Sequence, residues 1–420
     1  MCDPFAVLYY FTEVNTDPAV EELLARSHAL GADKAVTNYG GGNTSCKAVV
    51  ADPLTNEPVD VLHVKGSGGD LGTLTASGVG TLRLEPLRAL KARYRGEDDE
   101  DEMVGLIELC CIGGASPSID TAMHGLLPPR HVDHLHPDAV IAFAAAADGE
   151  ALTKECFDED VAWVPWRRPG FELAREIEQL HAERPNLRGV VLGGHGLTSW
   201  GNTSAECEAA SRQIIAEAAA FIARRGKADP FGAVVPGFEP LPADERRRVA
   251  AELAPTIRGL AATDGPVIGH FTDSDVVLDF VAREAAARLV PLGTSCPDHF
   301  IRTKVRPLLL DRPPTAPTAE LVARLRALHV DFRDEYAGYY ARYATPDSPA
   351  MRGADPAIVL VPGVGMFSFG VDAATARIAG EFYVNAINVM RGAEALSTYA
   401  PVPEAEKFKI EYWALEEAKL

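Results

Sequence analysis

Apolar side chains recur at helical spacing in several parts of the chain. Residues 19–30, with the sequence AVEELLARSHAL, carry their apolar side chains on one face and predict an amphipathic helix. Residues 204–225 are rich in good helix formers and predict a longer helix. Further helices are predicted at residues 85–94, 118–127, 275–289, 318–342 and 373–390. Residues 139–147 are small and apolar, and they fit either a strand or a helix.

Short apolar runs bounded by glycine and polar residues predict strands at 47–51, 59–65, 189–192, 267–271, 306–310 and 358–362. A stretch rich in proline and glycine predicts a linker at about 226–245. It separates a first domain, residues 1–225, from a second α/β module, residues 226–420. In that module strands alternate with helices, which favours a wound arrangement with a mainly parallel sheet. No internal repeat is evident.

The composition of the 420 residues, 47% hydrophobic and 24% charged, is typical of a soluble globular protein. No apolar run reaches the roughly 18 residues that a membrane span needs. The net charge of −20 disfavours general binding to nucleic acid or to an anionic membrane. Seven scattered cysteines without CxxC spacing, and an N-terminus without a signal pattern, indicate the cytoplasm. The acidic run at 97–102 predicts a solvated loop.

Three histidines are candidate metal ligands. His134 and His136 are two residues apart, so an extended backbone directs both imidazoles to one face. His195 stands between glycines at the end of a predicted buried strand, where the bare backbone leaves its side chain room. Three imidazoles that leave one position open suit catalytic zinc. The alternative is that they are ordinary solvated or core histidines. His124 and His131 are interpreted as solvated loop residues rather than as supports for a metal ligand.

Two glycine-rich turns are candidate anion sites. Gly42-Asn43-Thr44-Ser45 and Gly66-Ser67-Gly68 offer backbone N–H groups and hydroxyls suited to phosphate, although simple tight turns would have the same composition. Neither ends in the Gly-Lys-Ser/Thr of an ATP-binding loop. In the second half, Gly363 and Gly365 suggest a dinucleotide fingerprint, but the third glycine is replaced by Ser368.

Four motifs occur in a defined order: Gly42-Asn43-Thr44-Ser45, Pro117-Ser118-Ile119-Asp120, His134-Leu135-His136 and His195-Gly196-Leu197. Over residues 20–225 they resemble the class II aldolase/adducin family. That resemblance implies a layered α/β sandwich, in which helices flank a mostly antiparallel sheet. It also implies a symmetric homo-oligomer, a tetramer in relatives.

Longer segments extend the likeness to the whole chain. KGSGGDL at 65–71, PSIDTAMHGLLPPRHVDHLHPDAV at 117–140, TSCPDHFIRTKVRPL at 294–308 and VPGVGMFSFG at 361–370 resemble the bifunctional rhamnulose-1-phosphate aldolase/short-chain dehydrogenase family. Members of that family continue, after a segment like residues 410–420, into a dehydrogenase domain that this sequence lacks. The sequence therefore corresponds to a fragment or to a single-function relative.

The resemblance implies reversible cleavage of L-rhamnulose 1-phosphate, or a related ketose 1-phosphate, to dihydroxyacetone phosphate and L-lactaldehyde through a metal-stabilised enediolate. His134, His136 and His195 would hold Zn²⁺ or another divalent metal, and Asp120 would move the proton. Asp120 stands where single-function aldolases carry glutamate. The candidates for binding the sugar phosphate are Asn43, Thr44, Ser45, Ser67, Gly68 and Ser118.

Two other functions fit the same motifs. An epimerase or a dehydratase acting on sugar phosphates would keep the fold and the metal but release no triose phosphate. A non-catalytic, adducin-like interaction module would keep only the fold. The expected ligand is a small sugar phosphate, with no nucleic acid and no membrane as partner.

Overall fold

The computed structural model describes residues 17–96 and 99–413. The chain divides into two compact units. The first holds most of the described residues up to 216, and the second is built around residues 217–413 and also takes in residues 138–156. Among the described residues, no helix has both the length and the apolar character that a membrane crossing requires.

An eight-stranded sheet forms the centre of the first unit, in the order β4-β3-β2-β1-β5-β8-β7-β6. Its strands are β1 (Asn43–Ala51), β2 (Pro58–Lys65), β3 (Val79–Arg83), β4 (Cys111–Gly114), β5 (His131–Leu135), β6 (Val161–Val164), β7 (Gly189–Leu192) and β8 (Gly196–Gly201). Pairing is antiparallel from β4 to β8, whereas β6 and β7 are parallel. This mostly antiparallel sheet confirms the fold class that the resemblance implied.

Helices flank this sheet. The described helices through residue 225 are α1 (Pro18–Gly31), α2 (Leu84–Ala89), α3 (Glu100–Glu108), α4 (Thr121–Leu126), α5 (Asp138–Ala144), α6 (Gly149–Phe157), α7 (Phe171–Glu183) and α8 (Ser204–Arg225), of which α5 and most of α6 belong to the second unit. The main core of the first unit lies between the sheet and α2, α4 and α7, where Leu62, Met123, Val132 and Ile177 are buried. The apolar run at 139–147, which fitted either a strand or a helix, is mainly helical, since most of it lies in α5.

Helix α1 shows how sequence fixes an element. Asp17 precedes it and accepts a hydrogen bond from the Ala19 backbone N–H at 2.9 Å, which satisfies one of the free donors at the helix start. Pro18 occupies the first turn, where its missing N–H costs nothing. Val20, Leu23 and Leu30 are buried, so the predicted apolar face is the one that packs.

The acidic run corrects one prediction, because its described part continues into helix α3 instead of forming a solvated loop. Glu100 is buried, and its carboxylate accepts hydrogen bonds from the backbone N–H groups of Phe171 at 2.7 Å and Glu172 at 2.9 Å. An anion at a helix N-terminus is favourable, so Glu100 anchors α7. Gly170 is required beside it, because a Cβ there would lie 2.2 Å from a Glu100 oxygen and the backbone has φ +152°.

Replacing Glu100 with glutamine is expected to lower the free energy of unfolding by about 1–3 kcal/mol, because the buried amide leaves the start of α7 with a weaker, partly mismatched acceptor. Urea unfolding followed by circular dichroism measures the change. Glu102→Gln is the matched control, since that exposed carboxylate makes only a 3.5 Å surface ion pair with Arg93. Equal effects in the two variants would contradict the anchoring role.

The second unit contains a four-stranded sheet in the order β10-β11-β12-β9. Its strands are β9 (Ile268–Thr272), β10 (Leu308–Leu309), β11 (Ile358–Val361) and β12 (Gly365–Gly370). The described helices after residue 225 are α9 (Ala243–Ala261), α10 (Asp275–Ala282), α11 (Ala286–Leu292), α12 (Pro297–Thr303), α13 (Thr318–Tyr343), α14 (Ala373–Leu396) and α15 (Glu404–Glu411). A second α/β region is therefore present.

The direction of its strands differs from our prediction. Strand β12 is antiparallel to both β9 and β11, and β10 and β11 form the parallel pair of the described sheet. The prediction of a mainly parallel sheet is wrong because β11 and β12 are joined by a three-residue turn, and parallel strands require a long crossover.

The structure also corrects the view that the chain has no repeat. The order β9-β12-β11-β10, with its antiparallel and parallel pairings, reproduces the order β5-β8-β7-β6 of the first sheet. The side chains at corresponding positions differ enough that the sequence pattern conceals the repeat.

Candidate metal and substrate site

His134 and His136 bring two imidazoles together at the end of β5. Both side chains are buried, and their Nε2 atoms are 2.9 Å apart. The Nδ1 atom of His134 lies 3.1 Å from the Leu197 carbonyl oxygen and 3.2 Å from the Thr198 hydroxyl on β8. A carbonyl only accepts, so Nδ1 carries the hydrogen and the lone pair of Nε2 is directed toward His136.

His195 occupies the turn between β7 and β8. The turn is tight, with Gly194 at φ +66°, and the His195 side chain is buried. The pairing of Leu135 with Leu197 continues the β5–β8 ladder toward this turn. One ligand nitrogen from each of His134, His136 and His195 can be chosen so that all three lie within 4.8 Å of one another.

This donor set fits a divalent transition metal. Zinc binds imidazole nitrogens at about 2.0–2.1 Å in tetrahedral sites, which puts neighbouring ligand atoms about 3.3 Å apart. The Nε2 atoms of His134 and His136 are already close to that spacing. Backbone acceptance at Nδ1 is also the usual support of a metal-binding histidine. The described residues therefore contain a candidate metal site built from histidines.

The reverse face of β5 carries a different network. Asp133 points away from His134, as strand alternation requires, and binds the Arg26 guanidinium at 2.9 Å and the Ser211 hydroxyl at 3.0 Å. Arg26 also donates to the Ser45 carbonyl oxygen on β1 at 2.7 Å. Arg26 and Asp133 are both buried, so the contacts of Arg26 connect α1 to the central strands β1 and β5.

Two further histidines correct our interpretation of them as solvated loop residues. His124 and His131 are both buried. The Nδ1 atom of His124 lies 2.8 Å from the Ser45 hydroxyl, and the Nδ1 atom of His131 lies 2.9 Å from the Arg26 guanidinium. Since the guanidinium only donates, His131 accepts through a neutral ring.

These two rings predict acid sensitivity. Burial, with the positive charges of Lys47 and Arg26, lowers the pKa of His124 to about 3, and burial with Arg26 lowers the pKa of His131 to about 3. Histidine in the unfolded chain has a pKa near 6.5, so the unfolded state binds more protons between about pH 6.5 and pH 3. The free energy of unfolding should therefore decrease as the pH is lowered through this window, by up to about 1.4 kcal/mol per pH unit for each ring.

Urea unfolding at pH 7, 6 and 5 measures this slope. The variant His124→Asn removes one of the two groups, so its slope should be shallower by about one proton. An unchanged slope in that variant would contradict the burial of a neutral His124 ring.

The three segments predicted to bind the sugar phosphate converge in the first unit. The Asn43 side-chain amide donates to the Ser118 hydroxyl at 3.0 Å. A Cβ placed on Gly40 would lie 3.4 Å from the Gly68 carbonyl oxygen, and one on Gly66 would lie 3.0 Å from the Ser116 carbonyl oxygen. The turn before β1, the turn after β2 and the segment before α4 are thus neighbours.

Individual candidates differ in where they point. Asn43 and Ser118 are buried, Asp120 is half-buried at the start of α4, and Ser67 and Gly68 are exposed on their turn. Gly68 has φ +84° with open space where a Cβ would stand. This turn therefore has backbone accessible to a ligand.

Thr44 and Ser45 point elsewhere. The Thr44 hydroxyl lies on the opposite face of β1 and bonds the Ser27 hydroxyl at 2.7 Å. The Ser45 hydroxyl is occupied by His124 and by the Val132 carbonyl oxygen at 3.4 Å. Both contacts tie β1 to its surroundings, and the assignment of Thr44 and Ser45 to the substrate pocket stays a prediction.

Sequence reasoning missed Lys65. This lysine ends β2 directly before the Gly66 turn, is only 1% exposed, and lies 3.4 Å from the Gly66 carbonyl oxygen through its Nζ. A Cβ on Gly69 would lie 4.0 Å from its Cε. A lysine that follows the apolar residues Val61, Leu62 and Val64 and directly precedes a glycine-rich turn was the signal, because lysine is almost never fully buried without a partner.

Comparisons with known proteins match this arrangement. Residues 21–223 match the family model described as the class II aldolase and adducin N-terminal domain. Residues 245–420 match the model described as aldolase class II, second domain. The chain belongs to the class II aldolase family.

One curated relative is similar over almost the whole chain. The protein named uncharacterized oxidoreductase YuxG of Bacillus subtilis (strain 168) is 37% identical over 405 residues, which are 96% of this chain and 58% of that protein. The chain therefore spans a little over half the length of this relative.

Two solved structures are also similar. The N-terminal class II aldolase domain of a conserved protein from Thermoplasma acidophilum shares 29% identity, covering 50% of this chain and 97% of its own, with a TM-score of 0.46. The L-fuculose-1-phosphate aldolase from Thermus thermophilus shares 15% identity, covering 49% and 94%, with a TM-score of 0.33.

The second unit of this chain does not form a dinucleotide fingerprint, in agreement with the replacement of the third glycine by Ser368. Gly363 and Gly365 belong to the turn between β11 and β12, where the chain reverses into another strand. A pyrophosphate-binding glycine loop must instead lead from a strand into a helix.

Proposed function

We propose that the chain is a divalent-metal-dependent lyase. It would reversibly cleave L-rhamnulose 1-phosphate, or a related ketose 1-phosphate, to dihydroxyacetone phosphate and L-lactaldehyde. The convergence of the His134, His136 and His195 imidazoles beside the glycine-rich turns carries the proposal. Family membership supports it, and the specific sugar comes from the motifs of the whole chain.

In this proposal His134, His136 and His195 hold Zn²⁺ or another divalent ion. When bound, the ion supplies positive charge that favours the enediolate formed as the C3–C4 bond breaks. The protein holds the ligands ready, because the Leu197 carbonyl fixes the tautomer and the orientation of His134.

Asp120 is the proposed acid and base. In the synthetic direction its carboxylate takes a proton from C3 of dihydroxyacetone phosphate, and in cleavage its acid form returns that proton to the enediolate carbon. Its half-buried position, two residues after Ser118, places it on the segment that Asn43 fixes by hydrogen bonding.

The phosphate is assigned to the exposed turn after β2. Ser67 and Gly68 offer a hydroxyl and backbone N–H groups, while Asn43 and Ser118 line the neighbouring segments. The buried ammonium of Lys65 beneath the turn adds positive charge that favours an anion. The net charge of −20 makes such local donors necessary.

A coupled assay tests this function. The purified chain is incubated with L-rhamnulose 1-phosphate, and dihydroxyacetone phosphate is detected with glycerol-3-phosphate dehydrogenase and NADH. Triose phosphate should be released, should disappear after dialysis against a chelator, and should return on addition of Zn²⁺. Bound metal without triose release from any ketose 1-phosphate would overturn the aldolase in favour of an epimerase or dehydratase. A chain without metal or activity would favour the adducin-like module.

Two further proposals accompany this function. A symmetric homo-oligomer, a tetramer as in relatives, is the proposed assembly. The cytoplasm is the proposed location, because the scattered thiols suit a reducing compartment.

A further inference from the structure

The second sheet repeats the first beyond strand order. Strand β5 leads after two residues into α5, and β9 leads after two residues into α10. Three residues separate β7 from β8, and three separate β11 from β12. Strands β8 and β12 each have six residues and lead after two more into the long helices α8 and α14.

Glycines mark the same positions in both copies. Gly194 and Gly363 are the central residues of the two turns, with φ +66° and +69°. Gly201 and Gly370 end the second strand of each hairpin. A Cβ on Gly201 would lie 2.5 Å from the Cys207 backbone nitrogen, and one on Gly370 would lie 2.6 Å from that of Ala376, six residues later in each case.

Strand register then assigns equivalent residues. Thr198 and Phe367 are the third residues of β8 and β12, and they pair with His134 and Phe271. Phe271 therefore corresponds to His134. Counting two residues further, Asp273 corresponds to His136.

The third position follows from the turns. His195 directly precedes β8, and Val364 directly precedes β12. The three imidazole positions of the first copy thus correspond to Phe271, Asp273 and Val364 in the second.

Side chains other than histidine occupy these three positions in the second unit. The Phe271 ring packs on Phe367 with a centroid distance of 5.0 Å, and Val364 is fully buried. The Asp273 carboxylate accepts a hydrogen bond from Arg246 at 3.0 Å. Phe271 and Val364 offer no donor atom, and a single carboxylate that is already paired with Arg246 is too few ligands to hold a transition metal.

We propose that the second unit carries a decayed copy of the metal site, which keeps the scaffold but has lost all three ligands. The class of ion that the ancestral site took is the divalent transition metal assigned to the first copy, so this inference rests on the proposed function. One chain then binds one such ion, and restoring three imidazoles restores a second site.

The test begins with metal counting. The wild-type chain should bind one Co²⁺, and His134→Ala/His136→Ala should bind none. Into this double variant we introduce Phe271→His, Asp273→His, Val364→His and Arg246→Gln, the last to remove a cation that would repel the metal. About one Co²⁺ per chain should bind again, with the visible absorption of a low-coordinate site. The matched control carries alanine at the three grafted positions and should bind none.

Each outcome separates the two proposals. Retained tight Co²⁺ binding in His134→Ala/His136→Ala that is abolished by adding Asp273→Ala would show that the second copy is not decayed. A graft that folds, judged by circular dichroism and thermal midpoint, but binds no more Co²⁺ than the alanine control would overturn the positional equivalence. If the graft does not fold, metal counting in wild type and in the double variant still decides the decay. If wild type binds no metal but the graft does, the proposed function fails while the inferred repeat stands.

Discussion

Replacing His134 with alanine should empty the candidate metal site and reduce kcat/KM by at least about 10³-fold, equivalent to about 4 kcal/mol of transition-state stabilisation. The reason is that His134 is a proposed ligand whose orientation is fixed by the Leu197 carbonyl and the Thr198 hydroxyl. Its loss leaves two imidazoles, and a two-nitrogen site binds zinc weakly. Metal content per chain and triose phosphate release measure the two effects in the same preparation.

A histidine remote from the candidate site provides the control. His181 is half-buried and packs its ring on Trp200 at a centroid distance of 5.2 Å. The variant His181→Ala should keep its metal and its activity. Full metal occupancy in His134→Ala would contradict the assignment of this ligand, even if activity were lost.

Replacing Asp120 with asparagine should reduce kcat by about 10³-fold and leave the metal content unchanged, because the amide can neither accept nor return the C3 proton. Exchange of that proton gives a direct measurement. Dihydroxyacetone phosphate incubated with the enzyme in D₂O should acquire deuterium at C3 with wild type, and this exchange should be lost in Asp120→Asn.

Two variants frame this result. Asp120→Glu restores a carboxylate and matches the residue of single-function aldolases, so partial exchange should return. Asp101→Asn makes the same chemical change at an exposed position and should have no effect. Wild-type exchange in Asp120→Asn would assign the proton to another group.

Much of the fold could be predicted from the sequence, because segments such as helix α1 and strand β7 have simple hydrophobic patterns with clear ends. The convergence of the histidines was also foreseeable in part. His134 and His136 are two residues apart on a strand, and this spacing alone sets both rings on one face. The motifs also predicted that Asn43 and Ser118 belong to one site, and the two now share a hydrogen bond.

The features that could not be predicted from the sequence depend on contacts between residues far apart in the chain. Glu100 looked like part of a solvated acidic run, and its burial follows from the start of α7, about seventy residues away. Thr44 belongs to the Gly42-Asn43-Thr44-Ser45 motif, which predicted a substrate contact, but strand alternation directs its hydroxyl toward Ser27 on α1. The repeat escaped notice because it preserves register and turn geometry while Phe271, Asp273 and Val364 replace the residues that would have revealed it.

The buried pair of Arg26 and Asp133 constrains how this family can vary. Removing either partner leaves an uncompensated charge in the interior, at a cost of about 3–5 kcal/mol, whereas replacing both with apolar residues can be nearly neutral. A lineage that loses one charge therefore passes through an unstable ancestor unless the other is lost almost at once. Among diverged relatives, these two positions should change together or not at all, although 107 residues of chain separate them.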